Sequence, residues 1–243
     1  MMNVVTFVSL GPGDPEWLTL KALRLLKEAD LVMIPATRGA DGQVTSRAQD
    51  IICMWTEPGH TRLYPLPMSH ERKAALAVYD QIRRDAAEAC RSGQRVVIAV
   101  EGDISIYASV YYVLEKLRSD GIPVAQCPGV PSFIAAASLA GLSLASQRER
   151  LVVLPGDADE PALEEWLQSG HVVVVMKLSQ CADTVKRFLR RHPHAVCHYF
   201  ENVGTPKAYH TKSRDEILSR RIPYFSLCVL YPGEYSEPTR VLG

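Results

Sequence analysis

The sequence predicts an α/β protein built of two α/β lobes, and three observations lead to this expectation. Short runs of β-branched residues alternate with longer segments of helical periodicity, which is typical of sheets covered by helices. The chain has 243 residues, 47% of them hydrophobic, and can bury the core of one large domain or two small ones. The spacing changes after residue 121, which predicts lobes over 1–121 and 122–243 that pack together with a ligand in the cleft between them.

In the first lobe, mainly parallel strands are expected to alternate with helices. Gly93 and Gly121 end the last two helices, since glycine readily takes the left-handed conformation that follows a helix. Apolar runs predict strands at 4–10, 31–34, 61–66 and 95–100, and helical periodicity predicts helices at 18–29, 46–54, 70–93 and 107–121.

The second lobe repeats the alternation with different spacing. Its strands are predicted at 122–127, 151–154, 171–178, 195–200 and 225–231, and its helices at 132–141, 160–169 and 181–191.

Composition excludes several classes of protein. The 27 basic and 27 acidic residues cancel, so no overall field attracts nucleic acid or an anionic membrane surface. The six cysteines form neither a CxxC motif nor the Cys/His spacing of structural zinc, which favours reduced thiols. No stretch approaches the roughly 18 apolar residues of a membrane span, and the N-terminus lacks the features of a signal peptide. We therefore expect a cytoplasmic protein.

The stretch GPGDPEW follows the first predicted strand and has two interpretations. A dinucleotide loop needs a third glycine, but Glu16 stands at that position. Pro12 and Pro15 also remove two backbone donors that a phosphate would use. This weakens the interpretation as a nicotinamide oxidoreductase and leaves a rigid strand-to-helix turn or a site for another ligand.

Two further loops follow strongly apolar strands. In EGDISIY, Asp103 can accept hydrogen bonds from a ribose or an ammonium group, or it can cap the helix that follows. In CPGVPSFIAAASLAG, Pro128 and Gly129 make a turn, and Ser132 can cap a helix of small residues that allows close approach of another helix or a flat ligand. Because ligands of parallel sheets bind at the carboxyl ends of strands, such loops can line one site.

Taken in order, GPGDPEWLTLKALRLLKEADLV, EGDISIYASVYYVLEKL, CPGVPSFIAAASLAG, VVVMKL and ENVGTPKAY resemble the tetrapyrrole (corrin/porphyrin) methylases over nearly the whole chain. Within that family the sequence is most similar to precorrin-2 C-20 methyltransferases. The segments IPATRGADGQVTSRAQDI, LYPLPMSHERKAA and IPYFSLCVLY carry this similarity. Uroporphyrinogen methyltransferases commonly have an acid shortly after the second strand, where this chain has Pro35.

The resemblance implies a methyltransferase that uses S-adenosyl-L-methionine. This cofactor has no phosphate, so prolines in its loops are no obstacle. Methyl transfer from a sulfonium needs neither a metal nor a covalent nucleophile, because the acceptor carbon has only to be held in line with the methyl group. By similarity, the cofactor-binding residues are Pro12, Gly102, Asp103, Ile104, Ile106, Tyr107, Pro131, Ser132, Met176, Val203 and Gly204.

Two departures from the family pattern affect this site, and one is that relatives often have a serine or threonine near Ala108. Relatives usually have Gly-Asp-Pro where this chain has Gly102, Asp103 and Ile104. The replacement of proline frees a backbone N–H, and we expect it to leave the loop less rigid.

The acceptor implied by the resemblance is a tetrapyrrole carrying eight carboxylates. Arginine suits carboxylates best, so Arg38 is the leading substrate-binding candidate, followed by Lys177 and His210. A proton must leave the methylated carbon for a base or a water, but none of the nearby candidates, Tyr107, Tyr111 and Glu101, identifies itself as the base. The family resemblance also implies a homodimer.

Other functions stay open from the sequence. A methylase of this fold can act on another corrin carbon or, more distantly, on ribosomal RNA or a protein histidine. If Ile104 disables the cofactor loop, the chain is a noncatalytic tetrapyrrole-binding or scaffold protein.

Overall fold

A computed structural model describes residues 4–232, except residues 40, 57, 68–71 and 147–148. The α/β class is confirmed: the described residues form two sheets and eight α-helices. The chain divides into two compact units, Met1–Pro131 and Ser132–Gly243.

The first unit is built on a six-stranded sheet with helices on both faces. The predicted elements are present with shifted ends. Its strands are β1 (Val5–Ser9), β2 (Leu31–Arg38), β3 (Val44–Thr45), β4 (Thr61–Pro67), β5 (Val96–Val100) and β6 (Val124–Cys127), and its α-helices are α1 (Leu20–Glu28), α2 (Arg47–Ile52), α3 (Arg72–Arg91) and α4 (Tyr111–Ser119). Residues 70–71 of the third predicted helix lie outside the described residues.

The strands of this sheet run in the order β3-β2-β5-β1-β6, and β4 also pairs with β2. All of these pairs are parallel except β2 with β3. One core cluster contains Phe7 and Ile98 with Ile82 of α3 and Leu114 of α4. A second cluster contains side chains of α1 and α2 against Ala99, so both faces of the sheet are covered, as parallel sheets require.

The division between the units falls ten residues later than the sequence predicts. We expected residues 122–127 to begin the second lobe, but β6 pairs in parallel with β1 from Val5↔Val124 to Val8↔Cys127. The boundary after residue 121 is therefore wrong, because β6 completes the first sheet.

The second unit has a five-stranded sheet in the order β10-β9-β11-β8-β7. Only β7 and β8 pair in parallel, so this sheet is mainly antiparallel. Its strands are β7 (Arg150–Leu154), β8 (His171–Met176), β9 (Val196–Glu201), β10 (Tyr209–Thr211) and β11 (Ser226–Tyr231), and its α-helices are α5 (Ser132–Ala140), α6 (Glu160–Gln168), α7 (Ala182–Arg191) and α8 (Arg214–Ser219).

Candidate functional site

Three loops of the first unit follow the carboxyl ends of neighbouring parallel strands. The central strand is β1, with β5 on one side and β6 on the other. Residues 10–14, 101–110 and 128–131, called here the three-loop edge, therefore start from one edge of the sheet. This is the edge at which open α/β sheets bind ligands.

Backbone hydrogen bonds join the first two loops. The Leu10 N–H donates to the Val100 carbonyl at 2.8 Å, which extends the pairing of β1 with β5 by one residue. Beyond it, Gly11 and Gly102 exchange reciprocal N–H to carbonyl bonds of 3.1 and 2.8 Å. Both glycines have a positive φ, +78° and +65°, which a residue with a side chain rarely adopts.

Asp103 joins the second loop to the third. Its Oδ1 accepts the Ser105 N–H at 2.8 Å as well as the Ser105 hydroxyl, and its Oδ2 accepts the Gly129 N–H at 2.8 Å. The residue is only 8% exposed. Burial on its own would raise the pKa of Asp103, but hydrogen bonds from Ser105, Gly129 and Ser9 outweigh that effect and hold the pKa below its usual value.

Of the two roles left open for Asp103 by the sequence, capping of the following helix is excluded. Helix α4 begins at Tyr111, eight residues after Asp103, and Val110 stands at its N-cap position. The bond from the Ser105 N–H instead closes an Asx turn inside the loop. Asp103 is thus a buried link between two loops.

Gly129 is packed too tightly for any side chain. A Cβ there would lie 2.8 Å from the Ser9 Cβ and 2.9 Å from both the Gly102 and Ser9 carbonyl oxygens. Because two of these three atoms belong to the backbone, they cannot swing aside. The third loop therefore lies directly against the ends of β1 and β5.

Ile104 makes the loop more constrained than the sequence suggests. Its N–H, which the usual proline would lack, donates to the Ser9 Oγ at 3.1 Å. Its side chain is 2% exposed and packs in the core with Val100 and Val110. These contacts oppose the loss of rigidity expected from the sequence, and Ile104 can meet a ligand only through its backbone.

The other candidates in the second loop are more open. A Cβ on Gly102 would have no atom within 4 Å, so free space lies beside its backbone. Ile106 is half-buried and donates its N–H to the Asp103 carbonyl at 3.1 Å. Tyr107 has a φ of +52° and is 40% exposed.

Pro12 lies in a charged setting that sequence reasoning missed. It is buried, and its carbonyl accepts a hydrogen bond from Arg47 Nη1 at 3.4 Å. Arg47 is the first residue of α2, and the next residue, Ala48, donates its N–H to the carboxylate of Glu101. Pro12 and Arg47 are 35 positions apart in the sequence, and Ala48 and Glu101 are 53 apart. No local sequence pattern could therefore have connected them.

The pKa values of Glu101 and Arg47 both shift because of burial. Burial raises the pKa of the Glu101 carboxyl, while the charge of Arg47 and the Ala48 N–H oppose the rise and the charge of Asp50 adds to it. Burial also lowers the pKa of Arg47, against the attraction of Glu101 and Asp50. A carboxylate and a guanidinium thus share a poorly hydrated position beside Pro12.

The PGVPS turn contributes one candidate to each unit. Pro131 is the last residue of the first unit and is half-buried. Ser132 is the first helical residue of α5, and the buried residues of that helix are Phe133, Ala135, Ala136 and Ala137.

In the second unit, Met176 and Lys177 lie where β8 ends. Met176 is half-buried and pairs with Leu227 of β11. Lys177 has a φ of +52°, and the strand ends at Met176, two residues before the end expected from the sequence. A Cβ on Gly156 would lie 2.6 Å from the Lys177 carbonyl, so a close backbone approach supports this left-handed turn.

Val203 and Gly204 follow β9 in a turn next to a partly buried ion pair. Val203 is 5% exposed, and Gly204 has a φ of +79°. Just before them, the buried Glu201 accepts hydrogen bonds from Arg220 and, at 2.6 Å, from the Tyr199 hydroxyl.

The other two substrate candidates lie on strands. Arg38 is the last residue of β2 and is exposed. His210 lies on β10, where its Nε2 is 3.0 Å from His198 Nδ1 and its ring stacks on Phe200. Burial and the nearby charge of Lys212 lower the pKa of His210, which disfavours a cationic role.

The side-chain clusters and the helices of the described ranges were compared with the needs of a metal site and of a membrane span. No group of three or more His, Cys, Asp or Glu side chains there could hold a metal ion. Among the helices in the described part of the chain, none is long and apolar enough to cross a membrane. All six cysteines are free thiols, five of them buried.

The fold and the three-loop edge define the class to which the protein belongs. Residues 4–215 match the sequence profile of the Tetrapyrrole (Corrin/Porphyrin) Methylases. The chain belongs to this family, which confirms the resemblance found in its motifs.

Two relatives are similar along nearly their whole length. The precorrin-2 C(20)-methyltransferase of a Sinorhizobium species is 29% identical over 240 residues, which cover 95% of this chain and 96% of the relative. The cobalt-precorrin-2 C(20)-methyltransferase of Salmonella typhimurium is 28% identical over 236 residues, which cover 95% of this chain and 97% of the relative.

Solved structures share the fold at lower identity. A cobalt precorrin-4 methyltransferase superposes with a TM-score of 0.71 at 17% identity and covers 94% of this chain and 95% of its own. The uroporphyrin-III C-methyltransferase of Thermus thermophilus, complexed with S-adenosylhomocysteine, gives a TM-score of 0.67 at 24% identity. The match covers 95% of this chain and 98% of that structure.

Proposed function

We propose that this protein transfers a methyl group from S-adenosyl-L-methionine to carbon 20 of precorrin-2 or cobalt-precorrin-2. The observation that carries the proposal is the similarity to two C(20)-methyltransferases over 95% of the chain. One relative is named for the metal-free substrate and the other for the cobalt form, so both are candidates.

The three-loop edge suits the cofactor. S-adenosyl-L-methionine carries an amino-acid end and a ribose but no phosphate, and polar backbone groups near open space can meet these parts. Gly102 offers such space, and the adjoining loop is fixed by Asp103 and Ile104. We assign cofactor contacts in the first unit to Pro12, Gly102, Asp103, Ile104, Ile106, Tyr107 and Pro131, with Ile104 acting through its backbone.

In the second unit, the proposed cofactor residues are Ser132, Met176, Val203 and Gly204. Two left-handed turns support this assignment, because Lys177 and Gly204 bend the backbone where β8 and β9 end. Such turns leave peptide groups outside the sheet ladder, where they can bind an adenine edge or a carboxylate.

Arg38 is the proposed contact for an acidic side chain of the macrocycle. Its exposure at the end of β2 leaves the guanidinium able to form paired hydrogen bonds with a carboxylate. Lys177 and His210 are further candidates, with His210 the weaker because its pKa is lowered.

We also propose that the protein is a cytoplasmic homodimer. The free thiols of all six cysteines support a reducing compartment. Exposed aromatic side chains at the start of α4, Tyr111 and Tyr112, support a self-association surface. Light scattering of the purified protein tests the oligomeric state.

Two measurements test the proposed activity. Calorimetry with S-adenosylhomocysteine should find a defined site, and its absence would exclude a methylase that uses this cofactor. Incubation with precorrin-2 and, separately, cobalt-precorrin-2 should add one methyl group by mass spectrometry. Carbon NMR of the product then locates it: a label at another carbon contradicts the C-20 assignment, and cofactor binding without turnover favours a noncatalytic tetrapyrrole-binding protein.

A further inference from the structure

Methylation at carbon 20 requires a group that takes up a proton, and this inference rests on the proposed function. The carbon begins with one hydrogen and gains a methyl group, so its hydrogen must leave as a proton to restore the conjugated system. A positioned side chain speeds such a transfer by about 10²–10⁴-fold.

Glu101 is the first residue after β5, and the strand fixes the direction of its side chain. Side chains of a strand alternate between the two faces of a sheet. Val97 and Ala99 pack in the cluster formed with α1 and α2, whereas Ile98 and Val100 pack in the other cluster. Glu101 continues the row of Val97 and Ala99 and so points to the side of α2.

Helix α2 provides a hydrogen-bond donor and a positive charge near the Glu101 carboxylate. The Ala48 N–H donates to Glu101, and the charge of Arg47 acts on it. Arg47 also donates to the Pro12 carbonyl at 3.4 Å. These contacts hold the Glu101 carboxylate at the three-loop edge, beside Pro12 and one residue before the open backbone of Gly102.

Asp103, the other acid of this loop, is unsuited to the role. Hydrogen bonds occupy both of its carboxylate oxygens, and they hold its pKa below the usual value. Glu101 is half-buried, and burial raises its pKa above the usual value, which makes the carboxylate a stronger proton acceptor. The charged groups that act on it are Arg47 and Asp50 of α2.

We propose that Glu101 accepts the proton that leaves carbon 20, with Arg47 as a positioning residue. The π electrons at carbon 20 form the new C–CH3 bond while the S–CH3 bond breaks, and its electron pair remains on sulfur, which becomes a neutral thioether. The C–H bond at carbon 20 then breaks, and its electron pair restores the double bond. The proton adds to a Glu101 oxygen to give a carboxylic acid that later releases it to water.

The substitution Glu101→Gln tests this step. The amide keeps the size of the side chain and an oxygen that can accept from the Ala48 N–H, but it cannot take up a proton. We expect kcat to fall about 100-fold or more. Affinity for S-adenosylhomocysteine, measured by calorimetry, should stay within about twofold of wild type, since Glu101 is assigned to the proton and not to the cofactor.

Two further variants separate this role from a structural one. Asp50→Asn removes a charge that raises the pKa of Glu101, so the acid limb of the kcat profile should move to lower pH. Glu115→Gln removes an exposed acid on α4 and should change neither rate nor profile. In the protein without ligand, infrared difference spectra of wild type against Glu101→Gln should show the titration of one carboxyl group. Its midpoint should fall at the pH of the acid limb of the wild-type kcat profile.

The outcomes distinguish the two proposals. If wild type binds the cofactor but methylates neither substrate, the proposed function fails. If wild type is active and Glu101→Gln keeps a rate within about threefold of it, or keeps the same acid limb, the assignment of Glu101 fails. A parallel loss of cofactor affinity and thermal stability in Glu101→Gln would also overturn it, because that pattern belongs to a structural role.

Discussion

Asp103 illustrates how a single buried acid can organise a site. Its carboxylate accepts N–H groups from Ser105 and Gly129, which belong to loops after different strands. Hydrogen bonds to a charged group are stronger than those between neutral groups, and they are costly to leave unmade once buried.

Asp103→Asn should lower the free energy of unfolding by about 1–3 kcal/mol, because the amide NH2 would face an N–H donor on one side. The measurement is urea denaturation at neutral pH. Asp41→Asn is a matched control, since Asp41 Oδ1 accepts the Gln43 N–H at 3.0 Å in the same two-residue turn but at the surface. Equal losses in both variants would contradict the special role of Asp103.

The loss of unfolding free energy in Asp103→Asn should depend on pH. The pKa of Asp103 is lowered in the folded protein, so its stabilisation is present above the unfolded value of about 3.9 and is lost as the pH falls through the folded value. The difference in unfolding free energy between wild type and Asp103→Asn should therefore narrow below about pH 4. A difference that stays constant into that range would contradict the assignment.

Ile104 and Ser9 should be energetically coupled. Their hydrogen bond, at 3.1 Å, is buried, so Ser9→Ala should cost about 1 kcal/mol in wild type. In an Ile104→Pro background the donor is gone, and Ser9→Ala should cost less. A double-mutant cycle by chemical denaturation measures the coupling, and strict additivity would show that the bond contributes nothing.

At the scale of elements, long apolar strands were predictable and short or polar ones were not. β5 and β8 consist mostly of valine and isoleucine, so their positions follow from the sequence. β10 has only three residues, and α8 has six residues with Ile217 as its one buried side chain, so neither carries a periodic signal. Glycine and proline marked the loops of the site, but the link from Asp103 to Gly129 spans 26 positions and depends on tertiary packing.

The turn after β9 should depend on Arg220. This residue pairs with Glu201 through two hydrogen bonds and lies over the ring of Tyr209 at 3.8 Å. Arg220→Met would leave the buried Glu201 without its charge partner. Breaking a buried pair costs about 3–5 kcal/mol, but the Arg220 side chain is 35% exposed, so we expect a loss of about 2 kcal/mol.

Thermal and chemical denaturation measure this loss. Arg62→Met is the control, since Arg62 pairs with Asp85 while its side chain is 56% exposed, and such pairs contribute about 1 kcal/mol or less. A cost for Arg220→Met no larger than that of the control would contradict the role of the buried pair.

At the scale of the whole molecule, the extent of the first unit is a testable property. β6 pairs with β1 along four residues, so the sheet is incomplete without it. A fragment of residues 1–131 should unfold cooperatively by circular dichroism. A fragment of residues 1–121 should aggregate or stay unfolded, because it exposes the edge of a buried strand. Equal behaviour of the two fragments would favour the earlier boundary.

The bridge between Gly11 and Gly102 has a consequence for sequence divergence. Because both of its hydrogen bonds join main-chain atoms, no particular side chain is needed to make them, and the glycines contribute only their conformational freedom. Natural substitutions can therefore accumulate around this bridge without loosening it. We therefore expect diverged relatives to retain this main-chain bridge even where most of their surface residues differ.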